Sequence, residues 1–395
     1  KAARNLLEYR YNLLPKAVER AKELGCRGAC YPISSIDGEE GCGAWQHSSL
    51  QIHVSGSIAY GIWLYSEITQ DKDFLYNQGI EMLIQICRFY ESRAQQDPVS
   101  GQYGFYGVMG VDEFHMMVNN NCFLNYMVKK CMEFTLSTMD EMMTVCPVKL
   151  KEAEAKTGLI PDEAVKWRTM AENMYIPRDE NTGLFEQHDG FFRLPHIDIH
   201  SIPVTDFPLY NNWSYDRIYR TDMIKQPDVL MMLFLYNQDF SLDVKRVNYE
   251  YYEPRCIHES SLSPSVHSIL AAEIGKHDEA YEFFRFATRL DLDDYNRNTN
   301  EGLHITSIAA AWMNIVYGYG GLRNNGGKLV MDPTIPDAWQ SYSFNLLYRG
   351  SVLSFTVTRE KVAVAVKGNV PVELIVYGKS YVINTGNDLL TIPKK

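Results

Sequence analysis

Apolar residues recur every three or four positions up to Gly320, with charged residues between them, and this spacing predicts helices. The best-defined periodic stretches are 6–24, 55–69, 74–93, 119–146, 162–175, 229–236, 264–274, 278–290 and 304–317. Some neighbouring stretches are joined by turns as short as Gly275-Lys276-His277, whereas other connections are long. Helix pairs joined in this way predict a mainly α fold, built as a toroid of helical hairpins.

The pattern changes after Gly321, where apolar and polar residues begin to alternate one by one. Such alternation indicates half-buried strands, here at 343–346, 353–357, 362–366 and 372–376. Turn-forming residues separate these short runs, which predicts a small antiparallel β-sandwich domain. We therefore divide the chain into a helical domain, residues 1–325, and a C-terminal β-sheet domain, residues 326–395.

Two segments interrupt the helical pattern for a long distance. Residues 28–45 are rich in glycine and polar groups, and residues 177–226 contain Pro195, Pro203 and Pro208 as breakers. Loops this long inside a compact protein usually serve its function. We therefore expect both segments to contribute to a binding site.

Composition and charge narrow the range of partners. The 395 residues carry a formal net charge of -11, which argues against nucleic acid or an anionic membrane as a partner. Hydrophobic residues make up 46% of the chain and aromatic residues 12%, as in a globular enzyme. The 8 cysteines include no Cys-x-x-Cys pair, so we expect reduced, buried thiols in a cytoplasmic protein, without a zinc site.

One glycine-punctuated turn concentrates several chemical groups, since residues 107–115 read GVMGVDEFH. Glycine lets the backbone bend sharply and approach a ligand closely. Apolar neighbours partly desolvate Asp112 and Glu113, and desolvation of a carboxyl favours the protonated form that a general acid needs. The alternative is that one of these carboxylates caps the helix that follows, a common role for aspartate.

Two further clusters stand at the starts of predicted helices. Lys225 and Gln226 open the sequence KQPD, where a cation, an amide and a carboxylate are suited to sugar hydroxyls, although an exposed loop is the competing interpretation. Ser260 and Ser261 lie in HESSLSP and offer hydroxyls and backbone amides at a helix N-terminus, where negative charge is favoured. Helix capping explains one serine of this run, and anion binding explains the others better.

Two histidine motifs complete the set of candidates. Glu301 and His304 lie in NEGLH, again a glycine turn before a helix, with a titratable imidazole. Residues 196–200 read HIDIH, and in a strand their three polar side chains would share one face, as metal ligands do. Nothing nearby completes a metal site, so we predict no bound metal.

Taken in order along the chain, these motifs resemble glycoside hydrolase family 65. The likeness also includes the opening sequence NLLEYRY and a YRG motif in the β-sheet region, so it covers essentially the whole chain. Most members of this family are inverting phosphorylases of maltose, kojibiose, nigerose, trehalose and related α-glucosides, and a minority are hydrolases such as acid trehalases. The motifs that carry the resemblance are GVDEFH at 110–115, NN at 119–120, KQPD at 225–228, HESSLS at 258–263 and EGLH at 301–304.

The resemblance implies an (α/α)6 barrel followed by a small β domain. It also implies that the family's N-terminal β-sandwich and first barrel helices precede Lys1. Glu113 matches the general acid that protonates the glycosidic oxygen. The remaining matches are phosphate contacts at Ser260, Ser261 and His304, and substrate contacts at Lys225, Gln226, Glu301 and His115.

The function implied is inverting phosphorolysis of an α-linked glucobioside or glucoside to β-glucose 1-phosphate. An inverting reaction needs an acid on one side of the sugar and a nucleophile on the other. Inorganic phosphate is that nucleophile and a co-substrate, so the resemblance implies no cofactor. The alternatives are a hydrolase in which a carboxylate such as Glu259 activates water, and an inactive fragment. We further expect a homodimer that acts on disaccharide and phosphate.

Three positions depart from the family pattern. Val111 replaces a usual proline before the acidic pair, and Pro227 replaces an alanine; both are turn variants. Ile33 stands where a tryptophan often follows Tyr-Pro, which alters a loop that faces the sugar. Together with Met116 and Met117, this departure favours a nigerose-type linkage over maltose.

Overall fold

The computed structural model describes residues 1–295, 297–368, 370–384 and 389–394, except for the side chain of Glu301. The chain divides into two compact units. The first comprises Lys1–Ser66, Gln70–Asp179 and Phe185–Leu194, and the second comprises Glu67–Thr69, Glu180–Leu184 and Pro195–Lys395. Among the described residues, no helix has both the length and the apolar character that crossing a membrane requires.

Helices dominate the first unit, with one short β-hairpin. Its helices are α1 Ala2–Asn12, α2 Leu14–Glu23, α3 Trp45–Leu50, α4 His53–Thr69, α5 Lys72–Phe74, α6 Ile80–Arg93, α7 Cys122–Val145, α8 Pro147–Thr157 and α9 Pro161–Glu172. The last residues of α4 belong to the second unit. A π-helical turn, Leu75–Gly79, connects α5 to α6, and β1 Gln95–Gln96 pairs antiparallel with β2 Tyr103–Gly104.

The single helix predicted over residues 6–24 is wrong. The chain forms two helices there, which meet at Leu13, and Pro15 stands in the first turn of α2. Proline fits the first turn of a helix, where its missing N–H has no partner to lose, but not a helix interior. The periodicity of the apolar residues continues through the break, which is why the pattern did not reveal it.

The core of the first unit forms around α6, which is buried on almost every side. Ten of its residues, from Ile80 to Tyr90, are buried. The Tyr90 hydroxyl donates to the Ile52 carbonyl at 2.9 Å and accepts from the Gly56 amide at 2.7 Å, so this buried polar group is satisfied. Helices α7 and α9 pack on the same core through residues that include Trp167.

A buried ion pair fixes α6 against α9. The Arg88 guanidinium donates from Nε and Nη2 to the two Glu163 carboxylate oxygens, each at 2.7 Å. Burial works against the charged carboxylate, but the hydrogen bonds from Arg88 and the Ile160 amide outweigh it and lower the pKa of Glu163. The pair is therefore ionised in the folded protein at neutral pH.

Replacing Glu163 with glutamine should lower the free energy of unfolding by about 3 kcal/mol, because the Arg88 charge would remain buried without its counter-ion. Urea denaturation followed by circular dichroism measures this change. Glu152→Gln is the matched control, since the Glu152 side chain is 61% exposed; its effect should stay within about 0.5 kcal/mol. Equal effects of the two substitutions would show that the buried pair contributes nothing.

The second unit combines helices with two β-sheets. Its helices are α10 Leu209–Asn212, α11 Tyr215–Tyr219, α12 Val229–Leu235, α13 Leu242–Tyr252, α14 Ser263–Glu273, α15 His277–Arg289 and α16 Ile305–Met313. Its strands are β3 Arg323–Asn325, β4 Lys328–Met331, β5 Ser341–Tyr348, β6 Ser351–Thr358, β7 Lys361–Lys367, β8 Val372–Val376, β9 Lys379–Ile383 and β10 Leu389–Pro393.

Each β-sheet has four strands. One is antiparallel with the order β10-β7-β6-β5, and the other has the order β3-β4-β8-β9, in which β4 and β8 run parallel. Burial alternates along the strands, so one face of each contributes to a common core. Phe344 and Phe355 are paired across β5 and β6, with ring centroids 4.8 Å apart. The antiparallel pairing predicted for this domain is therefore wrong at the β4–β8 pair, which is parallel.

Candidate active site

The turn that carries Glu113 belongs to the first unit and precedes α7. Val108 and Val118 exchange backbone hydrogen bonds of 2.9 and 3.0 Å, which close residues 109–117 into a loop. Helix α7 begins only at Cys122, where the Asn121 side chain accepts from the Leu124 amide. Neither carboxylate of the turn caps this helix, so the capping alternative is wrong.

Asp112 anchors the turn from inside the protein. Its side chain is 1% exposed, and its Oδ2 accepts from His115 Nδ1 at 2.7 Å and from Gln187 Nε2 at 2.9 Å. Its Oδ1 accepts from the Phe114 amide at 3.2 Å. A buried carboxylate with several donors is well satisfied and fixes the groups around it. Asp112 is therefore suited to holding the turn in place.

Aromatic rings pack behind this network. His115 and His188 have ring centroids 5.1 Å apart, and the Phe191 ring lies 5.3 and 5.4 Å from them, edge-on in both cases. Burial, with a smaller contribution from His115, lowers the pKa of His188 to about 4. His115 is 3% exposed, and its predicted contact with substrate stays a prediction.

Glu113 lies at the edge of the turn and is half-buried, with a side chain that is 27% exposed. Its Oε1 is 3.9 Å from Nδ1 of His47, a residue of α3. The Gln51 side-chain nitrogen donates to the Gly110 carbonyl at 3.1 Å. The Gln51 side-chain oxygen therefore lies toward His47 Nδ1, at 2.9 Å. Because that oxygen can only accept a hydrogen bond, Nδ1 carries the proton of the His47 ring. This chain of contacts ties α3 to the turn and places an imidazole beside the candidate acid.

Two of the sequence clusters come together in the second unit. Ile224 donates its amide to the Arg255 carbonyl, and its carbonyl accepts from the Ile257 amide, both at 2.9 Å. This backbone pairing lays the KQPD segment alongside the start of HESSLSP. Gln226 is buried, whereas Lys225 is half-buried, with its ammonium 5.3 Å from the centre of the Tyr210 ring. The exposed-loop interpretation of this cluster is therefore wrong.

Glu259 is held against the loop that contains α10. Its Oε1 accepts from the Leu209 amide at 2.6 Å, and its Oε2 is buried without a hydrogen-bond partner among the described residues. Burial raises the pKa of Glu259 to about 7, although the Leu209 and Tyr210 amides and the Lys225 charge oppose this. Such a carboxyl can exchange a proton near neutral pH.

A cavity of about 550 Å³ opens beside Glu259 within the second unit. Its size suits a small-molecule ligand. It combines aromatic and apolar walls with a few polar groups, which come from three segments: Ile199, His200, Ile202, Val204, Phe207, Pro208 and Tyr210; Cys256, Ile257, His258 and Glu259; and Tyr295, Arg297 and Asn298. The loops after residue 195 and before His304 therefore share this cavity with the HESSLSP segment.

The serines of HESSLSP have different surroundings. The Ser260 hydroxyl accepts from the Leu262 amide at 3.2 Å, as in an ordinary turn before a helix. Ser263 is fully buried, and its hydroxyl contacts Cys256 Sγ at 3.1 Å and His258 Nδ1 at 2.7 Å. Ser261 is half-buried and lies two residues before the first residue of α14. Ser263 thus has a structural environment, and the phosphate contacts predicted for Ser260 and Ser261 stay predictions.

His304 stands directly before α16 and has a carboxylate partner. Asp291 accepts from His304 Nδ1 at 2.5 Å and from its backbone amide at 2.8 Å. The side-chain and backbone hydrogen bonds from His304 lower the pKa of the Asp291 carboxyl. The carboxylate fixes the ring, with Nδ1 as the donor and Nε2 turned away from Asp291. The side chain of Glu301 lies outside the described residues.

The HIDIH segment does not form a strand, so its three polar side chains share no strand face. His196 Nδ1 lies 2.9 Å from Asp222 Oδ2, which also accepts from Arg255 Nε at 2.8 Å. Asp198 instead caps a short 3-10 helix, Ile199–Ser201. The strand geometry that would have brought metal ligands together at this segment is therefore wrong. His196 contacts Asp222 and Asp198 caps a helix instead.

Comparisons with known proteins place the chain. The Glycosyl hydrolase family 65 central catalytic domain matches residues 1–313, and the Glycosyl hydrolase family 65, C-terminal domain matches residues 322–383. The chain belongs to glycoside hydrolase family 65. The family predicted from the sequence motifs is thereby confirmed.

Individual family 65 proteins support this assignment. The chain is 39% identical over 385 residues to the alpha,alpha-trehalose phosphorylase of Thermoanaerobacter brockii, covering 97% of this chain and 50% of that protein. It is 37% identical over 380 residues to the maltose phosphorylase of Bacillus subtilis (strain 168), covering 96% and 49%. The chain therefore spans about half the length of the relatives it matches.

A solved structure supports the fold class. A protein from the human microbiome, provisionally named a kojibiose phosphorylase, superimposes with a TM-score of 0.93 and 46% sequence identity. The match covers 100% of this family 65 chain and 51% of that chain. The predicted fold class, a mainly α chain of the (α/α)6-barrel type with a C-terminal β region, is confirmed.

The sequence motifs did not include three residues that contact Glu113, Asp112 and His304 in the structure. His47 and Gln187 approach the acidic turn from elsewhere in the first unit, and Asp291 holds His304 in the second. None of the three lies in a block that points to chemistry. Two of them had a weak signal: Gln187 lies in the long loop segment 177–226, and Asp291 belongs to an acidic run after the predicted helix 278–290.

Proposed function

We propose that this family 65 protein catalyses inverting phosphorolysis of an α-linked glucoside, and that it releases β-glucose 1-phosphate and a sugar or other aglycone. The observation that carries the proposal is the fixed position of Glu113 in a turn that buried Asp112 anchors through His115 and Gln187. A general acid must be held in place while remaining accessible, and Glu113 is half-buried on such a support.

The proposed roles of the other residues follow their chemistry. We assign phosphate binding to Ser260, Ser261 and His304, since hydroxyls and an oriented imidazole donate well to an oxyanion. Lys225 and Gln226 bind the hydroxyls of the glucose unit, with Glu301 and His115 as further contacts. Phosphate is the nucleophile and co-substrate, so the reaction requires no cofactor and no second catalytic carboxylate.

For the linkage, we favour nigerose-type or kojibiose-type α-glucobiosides over maltose. The support is the departure at Ile33, where a tryptophan is usual, together with Met116 and Met117 beside the candidate acid. Met117 is 58% exposed with a backbone φ of 57°, so its side chain is presented outward from the turn. Because two relatives are named as trehalose and maltose phosphorylases, trehalose and maltose must also be tested as substrates.

We expect glucose-unit transfer to depend on phosphate. Incubating the purified protein with nigerose, kojibiose, maltose and trehalose should yield glucose 1-phosphate of the β anomer in phosphate buffer, and no net hydrolysis without phosphate. Nuclear magnetic resonance of the products measures both the yield and the anomer. Because an inverting attack on an α-glucoside gives the β product, an α anomer would contradict the proposed mechanism.

A hydrolase on the same scaffold is the second candidate, and the position of Glu259 is the observation that favours it. Its buried Oε2 accepts no hydrogen bond from the described residues, and the side chain borders a cavity large enough for water and sugar. Glucose release at the same rate with and without phosphate would establish hydrolysis and refute phosphorolysis. Loss of that release in Glu259→Gln would then identify the group that activates water.

A further inference from the structure

A sulfur atom and two imidazoles meet in the second unit, close in sequence to the predicted phosphate contacts Ser260 and Ser261 but formed by other side chains. Cys256 Sγ and ring nitrogens of His258 and His267 all lie within 4.8 Å of one another. Cys256 and His267 are fully buried. This group is distinct from the HIDIH motif. Cys256 and His258 are two residues apart in the sequence, and His267 joins them from within α14.

Most polar atoms of this cluster have a hydrogen-bond partner. The Ser263 hydroxyl contacts Cys256 Sγ at 3.1 Å and His258 Nδ1 at 2.7 Å. His267 Nδ1 lies 2.8 Å from the Ser263 carbonyl oxygen, so Nδ1 carries the proton and Nε2 is an acceptor. Nε2 is buried without a hydrogen-bond partner among the described residues. Hydrogen bonding therefore leaves one buried lone pair unexplained.

The arrangement around His267 has the features of a metal ligand. A histidine that binds a metal usually donates its other ring N–H to a carbonyl or carboxylate, which orients the ring and fixes its tautomer. The contact between His267 Nδ1 and the Ser263 carbonyl does this and leaves the unpartnered Nε2 as the ligand atom. One thiolate and two imidazoles form a donor set that zinc-class cations prefer over calcium or magnesium.

We propose that Cys256, His258 and His267 bind a divalent cation of the zinc class, with the Ser263 hydroxyl or a water as the fourth ligand. Neighbouring ligands of tetrahedral zinc lie about 3.5 Å apart, given Zn–S and Zn–N bonds of roughly 2.3 and 2.0 Å. Binding thus requires inward movement of about 1 Å by the most separated ligand atoms, which small side-chain rotations supply. The thiol loses its proton on binding.

The site has a route for entry and a position from which it can affect the candidate phosphate site. Cys256 and His258 line the 550 Å³ cavity, so a cation reaches them without passing through the core. Cys256 lies between Arg255 and Ile257, which pair with Ile224 next to Lys225, and His258 directly precedes Glu259. A bound cation would therefore cross-link the backbone that supports both clusters.

Cobalt(II) is the probe for this site, because thiolate ligation gives it a sulfur-to-cobalt charge-transfer absorption and tetrahedral geometry gives it intense visible bands. We expect both signals when Co²⁺ is added to the chelator-treated protein, saturation at one ion per chain, and loss of the signals when Zn²⁺ displaces it. Cys256→Ser should remove the charge-transfer band, and His267→Gln should weaken binding at least about tenfold.

The control is Cys30→Ser, which removes another buried thiol, one that does not belong to this cluster. It should leave the cobalt spectrum unchanged. A wild-type protein that stays folded, as judged by circular dichroism, and develops no charge-transfer band would overturn the proposal. So would an unchanged spectrum in Cys256→Ser. Should a variant unfold, the rise in wild-type melting temperature with Zn²⁺ provides a second measurement, and a constant temperature refutes the site.

Discussion

Glu113→Gln should lower kcat for phosphorolysis by about 10²–10⁴-fold, which is the usual contribution of a general acid. The amide keeps the size of the side chain and its place in the turn, but it cannot give a proton to the departing oxygen. Steady-state kinetics with a disaccharide and saturating phosphate measures the loss. Because the hydrogen bonds that Asp112 makes to His115, Gln187 and the Phe114 amide do not involve the Glu113 side chain, the variant should unfold close to the denaturant concentration of the wild type.

Two further measurements separate acid catalysis from a structural role. A glucosyl donor such as α-glucosyl fluoride, whose leaving group needs no protonation, should be used by Glu113→Gln at close to the wild-type rate. The matched control is Glu133→Gln on α7, where the carboxylate is 41% exposed and pairs only with lysines in the described structure. Near wild-type disaccharide turnover in Glu113→Gln would remove this residue from the mechanism.

His304→Ala should raise the KM for phosphate by about 10–100-fold, since a hydrogen bond to a charged group contributes roughly 1.5–3 kcal/mol. The KM for the disaccharide should change much less. Asp291→Asn should give a smaller effect in the same direction, because it loosens the imidazole without removing it. Initial rates over a grid of phosphate and disaccharide concentrations separate the two constants.

The exposed His277 at the start of α15 provides the control for this series. His277→Ala should leave both constants unchanged. Ser261→Ala should share the phosphate phenotype of His304→Ala, whereas Ser263→Ala should lower stability, because it opens the buried contacts with Cys256 and His258. If His304→Ala raised the KM for the disaccharide and left that for phosphate unchanged, the assignment of His304 to phosphate would be wrong.

The local pattern of apolar and polar residues predicted the presence of most helices and strands more accurately than their first and last residues. The apolar period located α4, α7, α12, α14 and α15 to within a few residues, because burying one face of a helix requires that period. It did not show the break at Leu13, or α8 and α13, whose apolar faces are short. It also gave no information about strand order, since the parallel β4–β8 pair joins segments about 45 residues apart in sequence.

Glycines and prolines correctly marked the loops that contain the candidate residues. The turn around Glu113 and the segment before α14 both appear in the structure as loops that lead into helices, as the sequence indicated. Local pattern alone did not distinguish Asp112 from Glu113, because both are carboxylates in one turn, and only the resemblance to the family assigned the acid to Glu113. Burial separates them: Asp112 is 1% exposed and hydrogen-bonded, while the Glu113 side chain is 27% exposed.

By itself, the sequence determined the family and the mainly α fold class with a C-terminal β region, and it supplied the candidate residues for the chemistry. Each of these depends on local pattern or on motifs of adjacent residues. Only the tertiary structure decided which distant groups meet: Gln187 with Asp112, Asp291 with His304, and His267 with Cys256. Such contacts depend on how elements pack across long sequence separations, and neither periodicity nor composition encodes that packing. The approach of His47 to Glu113 was decided by the fold in the same way.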